Sequence, residues 1–352
     1  MQCAIPVRAR SCVYRAFAHV DAAVENRYRK EKIQMENKEQ HITSIGGQAV
    51  MEGVMMRGPY KTTVAVRKPD GEIERKIDDN GVKTRSKFWR LPVIRGCVNF
   101  VDSLVIGMKA LMYSAEFIDI EGEEEEESKF DKWLEEKLGD KIKDIVIYVA
   151  VAISIVMSVA LFMVLPTFLT RLVEAIPFLK SITQTHTFTS VFEGVLRMMI
   201  FLGYMVLISQ MKDIKRVFEY HGAEHKTIAC YEAGEELTVE NVKKYTRFHP
   251  RCGTSFLLFV MIISIIIYLF LPKTGLFLRI VMRLALLPVV AGLSYEVIKW
   301  AGRSKNKAVC TLSKPGLWLQ RLTTREPDES QIEVAIASME PCIPENKDDD
   351  RW

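Results

Sequence analysis

Long apolar segments alternate with strongly charged segments along this chain. Four apolar segments, residues 145–165, 191–209, 256–271 and 276–295, have the composition of membrane-crossing helices. The first contains no charged residue, and at about 1.5 Å per residue it matches the ~30 Å hydrocarbon core of a bilayer. Pro166, directly after it, is expected to end the helix. The pattern therefore predicts a polytopic membrane protein.

The second apolar segment carries two charged residues, Glu193 and Arg197. Because they are four residues apart, they share a helix face and can neutralise each other. One interpretation places the pair in the protein interior, since charge exposed to lipid is costly. The other places both residues near the membrane surface. The third and fourth segments are separated by a short turn at residues 273–275, which predicts a helical hairpin.

Basic residues predict the orientation of these helices, because lysine and arginine are enriched in cytoplasmic connections. The connection 210–253 carries eight of them. The two connections expected on the opposite side carry Arg171 and Lys180, and Lys273, respectively. We therefore expect a multi-pass protein of the cell membrane with both termini and the connection 210–253 in the cytoplasm.

Composition divides the chain into six units: an extension outside the folded part (1–43), a glycine-rich segment with a β-hairpin (44–90), an amphipathic helical segment (91–118), an acidic linker (119–144), the transmembrane bundle with its cytosolic loop 210–253 (145–309) and a cytosolic tail (310–352). Translation is expected to start at Met35. The hairpin is predicted from strands at 60–67 and 72–77 around a Pro-Asp-Gly turn.

Two further expectations concern the amphipathic segment and the tail. Residues 91–117 are too charged to cross a membrane comfortably, so we expect them on the membrane surface or against the bundle. In the tail, Thr324 or Asp328 is expected to cap a helix at 329–340. The last residues are expected to be disordered.

The fold class that follows is mainly α: a polytopic helical membrane protein with about four transmembrane helices and a small cytosolic N-terminal region containing a β-hairpin. The mean hydropathy is +0.06 although 26% of residues are charged, which agrees with apolar and charged residues lying in separate segments. A net charge of +4 is too balanced to predict nucleic-acid binding. Seven scattered cysteines do not suggest a disulfide framework.

The connection 210–253 contains the pattern H-x-x-E-H, formed by His221, Glu224 and His225. Histidines four apart lie on one helix face and can bind one metal ion. Glu224 beside them could act as general base on a metal-bound water, as in the inverted zinc-protease pattern. The alternative is a polar helix face on which the histidines bond to Glu219 or Glu224.

A second pattern, H-x-x-C, is formed by His249 and Cys252. If both bind together with His221 and His225, the site is closed and structural; if only three of the four bind, one position stays open for water or substrate. The expected cofactor is a divalent metal ion, with zinc favoured by this set of ligands.

Three further residues are candidates for the same site. Glu296, at the cytoplasmic end of the fourth apolar segment, would be a ligand or would orient one; pairing with Lys299 or Arg303 is the simpler interpretation. Glu52 and Arg57, in the glycine-rich segment, would cover the site and orient a substrate. Their alternative role is structural packing.

Four motifs resemble the YqhQ-type bacterial membrane proteins: GGQAVMEGVMMRGP at 46–59, HGAEHK at 221–226, HPRCGTSF at 249–256 and TTREP at 323–327. That family is described as predicted metal-dependent enzymes of undetermined activity. The resemblance implies a helical membrane protein and a metal at His221, His225, His249 and Cys252, with Glu224 beside it. It also supports a start at Met35, but it implies no substrate.

Three functional hypotheses follow. The first is a metal-dependent enzyme that performs metal-assisted hydrolysis on an unknown substrate at the cytosolic membrane interface. The second is a membrane scaffold or assembly factor in which a structural metal stabilises the loop 210–253 and the hairpin region binds a cytosolic protein. The third is a transporter with Glu193 and Arg197 in a polar path. The lipid bilayer is a partner in all three.

Overall fold

The computed structural model describes residues 41–80, 86–117, 141–176, 185–249, 251–272, 274–303 and 314–351. Most of the predicted acidic linker 119–144 and most of the extension 1–43 lie outside these residues, and residues 141–144 of the linker are helical. The strands are β1 (Gly46–Val50), β2 (Gly53–Arg57), β3 (Lys61–Arg67) and β4 (Ile73–Asp79). The helices are α1 (Ile94–Ala115), α2 (Lys141–Val159), α3 (Leu165–Glu174), α4 (His186–Ile208), α5 (Lys212–Glu232), α6 (Val239–Lys243), α7 (Gly253–Tyr268), α8 (Leu276–Arg303), α9 (Lys314–Thr323) and α10 (Glu329–Met339).

The four strands form one antiparallel sheet in the order β1-β2-β3-β4. The predicted hairpin corresponds to β3 and β4, but the glycine-rich segment forms two more strands instead of a bent loop. Strand β2 escaped prediction because it is buried on both faces and lacks polar alternation. Val54 and Met56 pack towards α5 and α10, whereas Met55 packs towards α1.

Helix α1 has two apolar faces. Ala110 and its partly buried neighbours Ile106 and Tyr113 pack on the sheet, and near its start Gly96 approaches Gly292 of α8 so closely that a Cβ atom there would lie 2.9 Å from the Gly292 Cα atom. The helix therefore packs against both the sheet and the bundle. The other face exposes a stripe with helical spacing: Val101, Leu104, Val105, Met108, Leu111 and Met112.

Among the described residues, four helices are long and apolar enough to cross a membrane: Ile94–Ala115, Val149–Glu174, Thr187–Ile208 and Leu276–Trp300. The sequence also predicts four membrane-crossing helices, but not the same four. Helix α1 qualifies by length and composition, whereas α7 is a shorter apolar helix of 16 residues. At about 1.5 Å per residue, α7 is only about 24 Å long.

Pro166 does not end the first long helix, contrary to the sequence prediction. The helix passes through a π turn, Ala160–Val164, and continues as α3. A proline has no N–H to donate to the carbonyl four residues before it, here that of Phe162. That carbonyl instead accepts a hydrogen bond from Arg197 Nε of α4, at 2.9 Å. Side-chain compensation of this kind lets the helix continue past a proline.

Residues 314–351 of the tail are more ordered than the sequence predicts. Asp328 caps α10 in a capping box with Gln331, and α10 packs on the sheet and on α5. The predicted disorder at the end is wrong for residues 340–351. Asp350 is fully buried and accepts hydrogen bonds from His41 and Thr43. His41 to Thr43 therefore belong to the folded part and not to the extension.

Candidate metal centre

One helix and the residue that precedes a second helix bring three metal-ligating side chains together. His221 and His225 lie one turn apart on α5, and Cys252 is the residue before α7. One ligand atom from each lies within 4.8 Å of the others. The two imidazole ring centroids are 4.4 Å apart, and His221 Nε2 lies 3.2 Å from Cys252 Sγ. We call these three residues the His–His–Cys group.

The backbone orients both imidazole rings. His221 Nδ1 lies 2.7 Å from the carbonyl oxygen of Thr323, and His225 Nδ1 lies 2.6 Å from that of Arg247. A carbonyl can only accept, so both Nδ1 atoms carry the proton and donate it. Donation from one ring nitrogen to a carbonyl is the usual arrangement of histidines that bind metal through the other. The residues present therefore fit a metal ion.

Charge within the group also fits a metal. Burial raises the pKa of the Cys252 thiol, but the His221 and His225 rings lower it well below its usual range. Burial lowers the pKa of His221, but the Cys252 thiolate and the Glu224 carboxylate raise it to about 9. These shifts favour the thiolate, the form in which cysteine binds metal, and a metal ion at this site would displace the proton that they favour on His221.

Glu224 lies beside the group and is almost completely buried. The backbone N–H of Gly47 on β1 donates a hydrogen bond to its carboxylate. A Cβ atom at Gly47 would lie 2.9 Å from the Glu224 Cδ atom, so only glycine leaves room for this contact. Burial raises the pKa of Glu224, and the two histidines act in the opposite direction. Among the described residues, Glu224 Oε2 has no hydrogen-bond partner.

His249 is a neighbour of the His–His–Cys group but not a member of it. Its ring centroid is 5.5 Å from that of His225. Its Nε2 atom faces Arg251 Nη2 at 3.2 Å and Glu232 Oε2 at 3.7 Å. Burial lowers the pKa of His249, although Glu232 acts in the opposite direction. Ligation by His249 stays a prediction that would require its ring to turn away from these partners.

The structure places the other three candidates in ion pairs or strands rather than in the group. Glu296 Oε1 accepts a hydrogen bond from Arg95 Nε at 2.7 Å, so its partner is a residue of α1. Glu52, at φ 49° in the turn between β1 and β2, pairs with Arg216 and accepts from the Tyr220 hydroxyl at 3.2 Å. Arg57 lies on β2 opposite Gly46.

Sequence reasoning missed the residue that holds the H-x-x-C segment. Gln320 on α9 is fully buried. Its amide accepts from the backbone N–H of His249 at 2.9 Å and donates to the His249 carbonyl at 2.7 Å. This double contact fixes the loop that carries Cys252. The nearby TTREP motif is the feature of the sequence that could have indicated a contact between the tail and the site, because its Thr323 and Arg325 contact the helix that carries HGAEHK.

Gly222, in the HGAEHK motif, lies where the tail crosses α5. A Cβ atom there would collide with the carbonyl oxygen of Arg325. The backbone N–H of Arg325 donates a hydrogen bond to the Phe218 carbonyl at 2.8 Å, which holds the tail at this position. We expect Gly222→Ala to destabilise the protein by about 1–3 kcal/mol through overpacking, although alanine otherwise favours a helix by about 1 kcal/mol. Thermal unfolding in detergent would measure this change.

Gly203→Ala is the matched control, because Gly203 is also inside a helix and a Cβ atom there would meet nothing within 4 Å. That variant should unfold at the wild-type temperature or above. Equal stability of the two variants would mean that the crossing of the tail over α5 does not depend on glycine.

The described residues form a mainly helical protein with four helices long and apolar enough to cross a membrane. A small antiparallel sheet and the His–His–Cys group lie at one end of these helices. The chain belongs to the family described as "Protein of unknown function (DUF1385)", whose model matches residues 91–345. It is 37% identical over 301 residues to "Uncharacterized protein YqhQ" of Bacillus subtilis (strain 168), covering 84% of this chain and 91% of that relative. No solved structure matches significantly. The resemblance to YqhQ-type proteins is thus confirmed.

Proposed function

We propose that this protein is a membrane-embedded, metal-dependent hydrolase whose site lies at the cytosolic end of its helix bundle. The observation that carries the proposal is a buried carboxylate, Glu224, next to three metal-ligating atoms, with one oxygen that no other described residue contacts by a hydrogen bond. A carboxylate in that position can accept a proton from an attacking water molecule.

Zinc suits the donor set, because zinc binds imidazole nitrogen and thiolate sulfur, and three protein donors would leave one of its four tetrahedral positions for water or substrate. When bound, zinc acts as a Lewis acid that lowers the pKa of water towards ~7 and polarises a carbonyl or phosphoryl oxygen. Thr323 and Arg247 would hold His221 and His225 in place through their carbonyls.

The chain itself would supply the proton acceptor and the dry surroundings. Glu224 would take the proton from water at Oε2, the oxygen to which no other described residue donates a hydrogen bond, while the backbone N–H of Gly47 donates to the carboxylate. His225, Glu224 and Cys252 are each more than nine-tenths buried. Low solvent exposure strengthens electrostatic interactions within a site.

Chain connectivity supports the membrane placement. Helix α5 begins four residues after α4 ends, and Cys252 immediately precedes α7. The His–His–Cys group is therefore carried by the helix that follows α4 and by the residue that precedes α7, which supports a position near the ends of these two apolar helices. The eight basic residues of the connection 210–253 favour the cytosolic side for this end. The exposed apolar stripe of α1 would then contact the bilayer.

Cobalt substitution would distinguish this proposal from a scaffold with a closed structural site. Cobalt(II) has visible absorption that depends on its ligands. With three protein donors, adding azide to the cobalt protein should change the spectrum, because azide replaces water at the open position. His249→Ala should leave this response intact. A spectrum insensitive to azide would favour a closed site with four protein ligands, and therefore the scaffold.

A further inference from the structure

The elements before and after α1 lie at the same end of the helix bundle, although α1 is itself long and apolar enough to cross a membrane. The sheet comes before α1 in the chain and packs at the metal-centre end, where the backbone N–H of Gly47 donates a hydrogen bond to Glu224. Helix α2 comes after α1. The contacts of α2 and α3 with α4 decide at which end α2 begins.

Helices α2 and α3 run antiparallel to α4. The ring of Phe162, in the π turn, lies 5.6 Å from that of Tyr204, near the end of α4. Thr167, five residues later, donates a hydrogen bond to Glu193, near the start of α4. Helix α2 therefore begins at the end of α4 that leads into α5 and the His–His–Cys group. Glu193 also pairs with Arg197, and both are buried, so this pair lies in the interior, as one of the two interpretations predicted.

The chain between the sheet and α2 does not provide a second crossing beside α1. A crossing helix needs about 20 mainly apolar residues. The segment 80–93 is shorter than this, and more than half of residues 118–140 are charged. If α1 crossed a membrane, the sheet and the start of α2 would lie on opposite sides of it. Both lie at the metal-centre end, so α1 stays on one side.

The first turn of α1 lies at the depth at which the hydrocarbon core of a bilayer would end. A Cβ atom at Gly96 would lie 2.9 Å from the Gly292 Cα atom, and the backbone N–H of Val93 donates to Glu296 at 3.4 Å. From the start of α8, Gly292 and Glu296 are about 24 and 30 Å along the helix at 1.5 Å per residue. The hydrocarbon core is ~30 Å thick. Helix α1 therefore begins at the boundary on the metal-centre side.

From this point α1 passes across the end of the bundle to the sheet. The Phe100 ring lies 5.6 Å from that of Phe256, in the first turn of α7. Further along, Gly107 packs against the Gln48 side chain of β1, and Ala110 packs on the sheet. One face of α1 thus contacts α8, the start of α7 and the sheet in turn, and the helix bridges the bundle and the sheet.

The opposite face of α1 is the apolar stripe from Val101 to Met112, whose six side chains are 37–57% exposed. Polar residues at seven-residue intervals follow one flank of this stripe: Asp102, Lys109 and Glu116. A contiguous apolar surface of this kind is uncommon in water. A helix with a separate apolar face and a charged flank is typical of helices that lie in the membrane interface.

Tryptophans mark the same boundary. Three of the five tryptophans belong to the residues that the structure describes, namely Trp89, Trp300 and Trp318, which are 48, 57 and 69% exposed. Trp89 precedes α1, Trp300 lies in the last turn of α8, and Trp318 lies on α9. Gly316 of α9 packs against Ser255 at the start of α7, so all three are at the metal-centre end. Tryptophan is enriched where a protein crosses from lipid to water.

We propose that α1 binds the bilayer as a helix in the plane of the interface, with the apolar stripe between headgroups and acyl chains and with the exposed Phe88 and Trp89 anchoring its start. Lys87 and Arg90 flank these aromatic residues in sequence, and basic residues are attracted to anionic headgroups. The inference rests on the proposed membrane placement but not on the metal or on hydrolysis. The crossings are left to α2 with α3, α4, α7 and α8, and α1 holds the sheet against the membrane surface.

Photocrosslinking of the full chain would identify what covers the apolar stripe. The crosslinker p-benzoylphenylalanine takes the place of Leu104 or, in a second variant, of Met108; both side chains are exposed, so the fold should be kept. The protein is irradiated in nanodiscs of dioleoyl phosphatidylglycerol and dioleoyl phosphatidylcholine. We expect both variants to show the mass shift of one phospholipid. Ile77 is the matched control: it is 48% exposed on β4, at the edge of the sheet, and should give no lipid adduct.

Val156 of α2, which is 67% exposed, tests the membrane placement in the same experiment. A lipid adduct at position 156 but at neither 104 nor 108 would overturn the proposal for α1 alone. The mass shift of a second chain at 104 and 108 would overturn it in favour of a dimer. Absence of a lipid adduct from all positions would overturn the membrane placement as well. Zinc content of the same samples reports on the metal centre independently.

Protease accessibility in sealed inside-out vesicles would test whether α1 crosses. One variant carries the recognition site of a sequence-specific protease directly before His41, and another carries it within the acidic run 121–127. We expect added protease to cut both variants as completely without detergent as with it. Protection of one site alone would show that α1 crosses and would overturn the proposal. Protection of both would keep α1 on one side but overturn the cytosolic placement of this end.

Discussion

Replacing Glu224 by glutamine is expected to lower zinc-dependent hydrolysis by about 10²–10⁴-fold while the protein keeps its metal. The amide is nearly the same shape as the carboxylate and can still accept the Gly47 N–H, so the fold is preserved. It cannot accept a proton from water, and a general base contributes a factor of this size. The measurement is the hydrolysis of chromogenic carboxylic and phosphoric esters by zinc-loaded protein, with zinc determined by elemental analysis.

Glu219→Gln is the matched control for that substitution. Glu219 lies on the same helix, but its carboxylate accepts a hydrogen bond from Gln331 on α10 at 3.0 Å. We expect this variant to hydrolyse at the wild-type rate. If Glu224→Gln were as active as Glu219→Gln, Glu224 would not be the proton acceptor. If Glu224→Gln lost its zinc, the carboxylate would be a ligand and the role assigned to it would be wrong.

Replacing His225 by alanine should remove the metal. Wild-type protein is expected to hold about one zinc ion per chain. The variant keeps only two of the three ligands, and structural and catalytic zinc sites use at least three protein ligands. It should therefore lose nearly all of its zinc during purification. Elemental analysis of detergent-purified protein measures the ratio and identifies the ion. His225 is almost completely buried and donates to the Arg247 carbonyl, so alanine leaves a cavity, and thermal unfolding of the variant is measured beside its zinc content.

His41→Ala is the control for metal content, because His41 bonds to Asp350 and has no contact with the His–His–Cys group. This variant should retain the wild-type amount of zinc. Full metal content in His225→Ala would show that the ion, if present, is bound elsewhere. Loss of zinc from both variants would indicate a general effect of the substitutions on stability.

Much of the architecture could be predicted because it depends on local composition. The apolar segments are helical, as their length and uninterrupted apolar composition predict. Asp328 caps α10 through contacts within three residues. His221 and His225 share a face because any α-helix places residues four apart together. These features need no information about distant parts of the chain.

The errors share one cause, which is contact between residues far apart in sequence. Strand β2 is buried by α1 on one face and by α5 and α10 on the other, so its apolar run has no periodicity. Glu296 pairs with Arg95, about 200 residues earlier. The helix continues past Pro166 because Arg197 of another helix donates to the released carbonyl. Local patterns carry no signal for such partners.

The sequence by itself determined the mainly helical architecture, the apolar segments and the pairing of two histidines on one helix face, because short-range geometry dictates all three. Only the tertiary structure decided that Cys252 joins those histidines while His249 faces Glu232 and Arg251 instead. It also decided that backbone carbonyls at Thr323 and Arg247 orient the imidazoles. The physical reason is that ligand distance and ring orientation are set by packing between elements, which spacing along the chain does not encode.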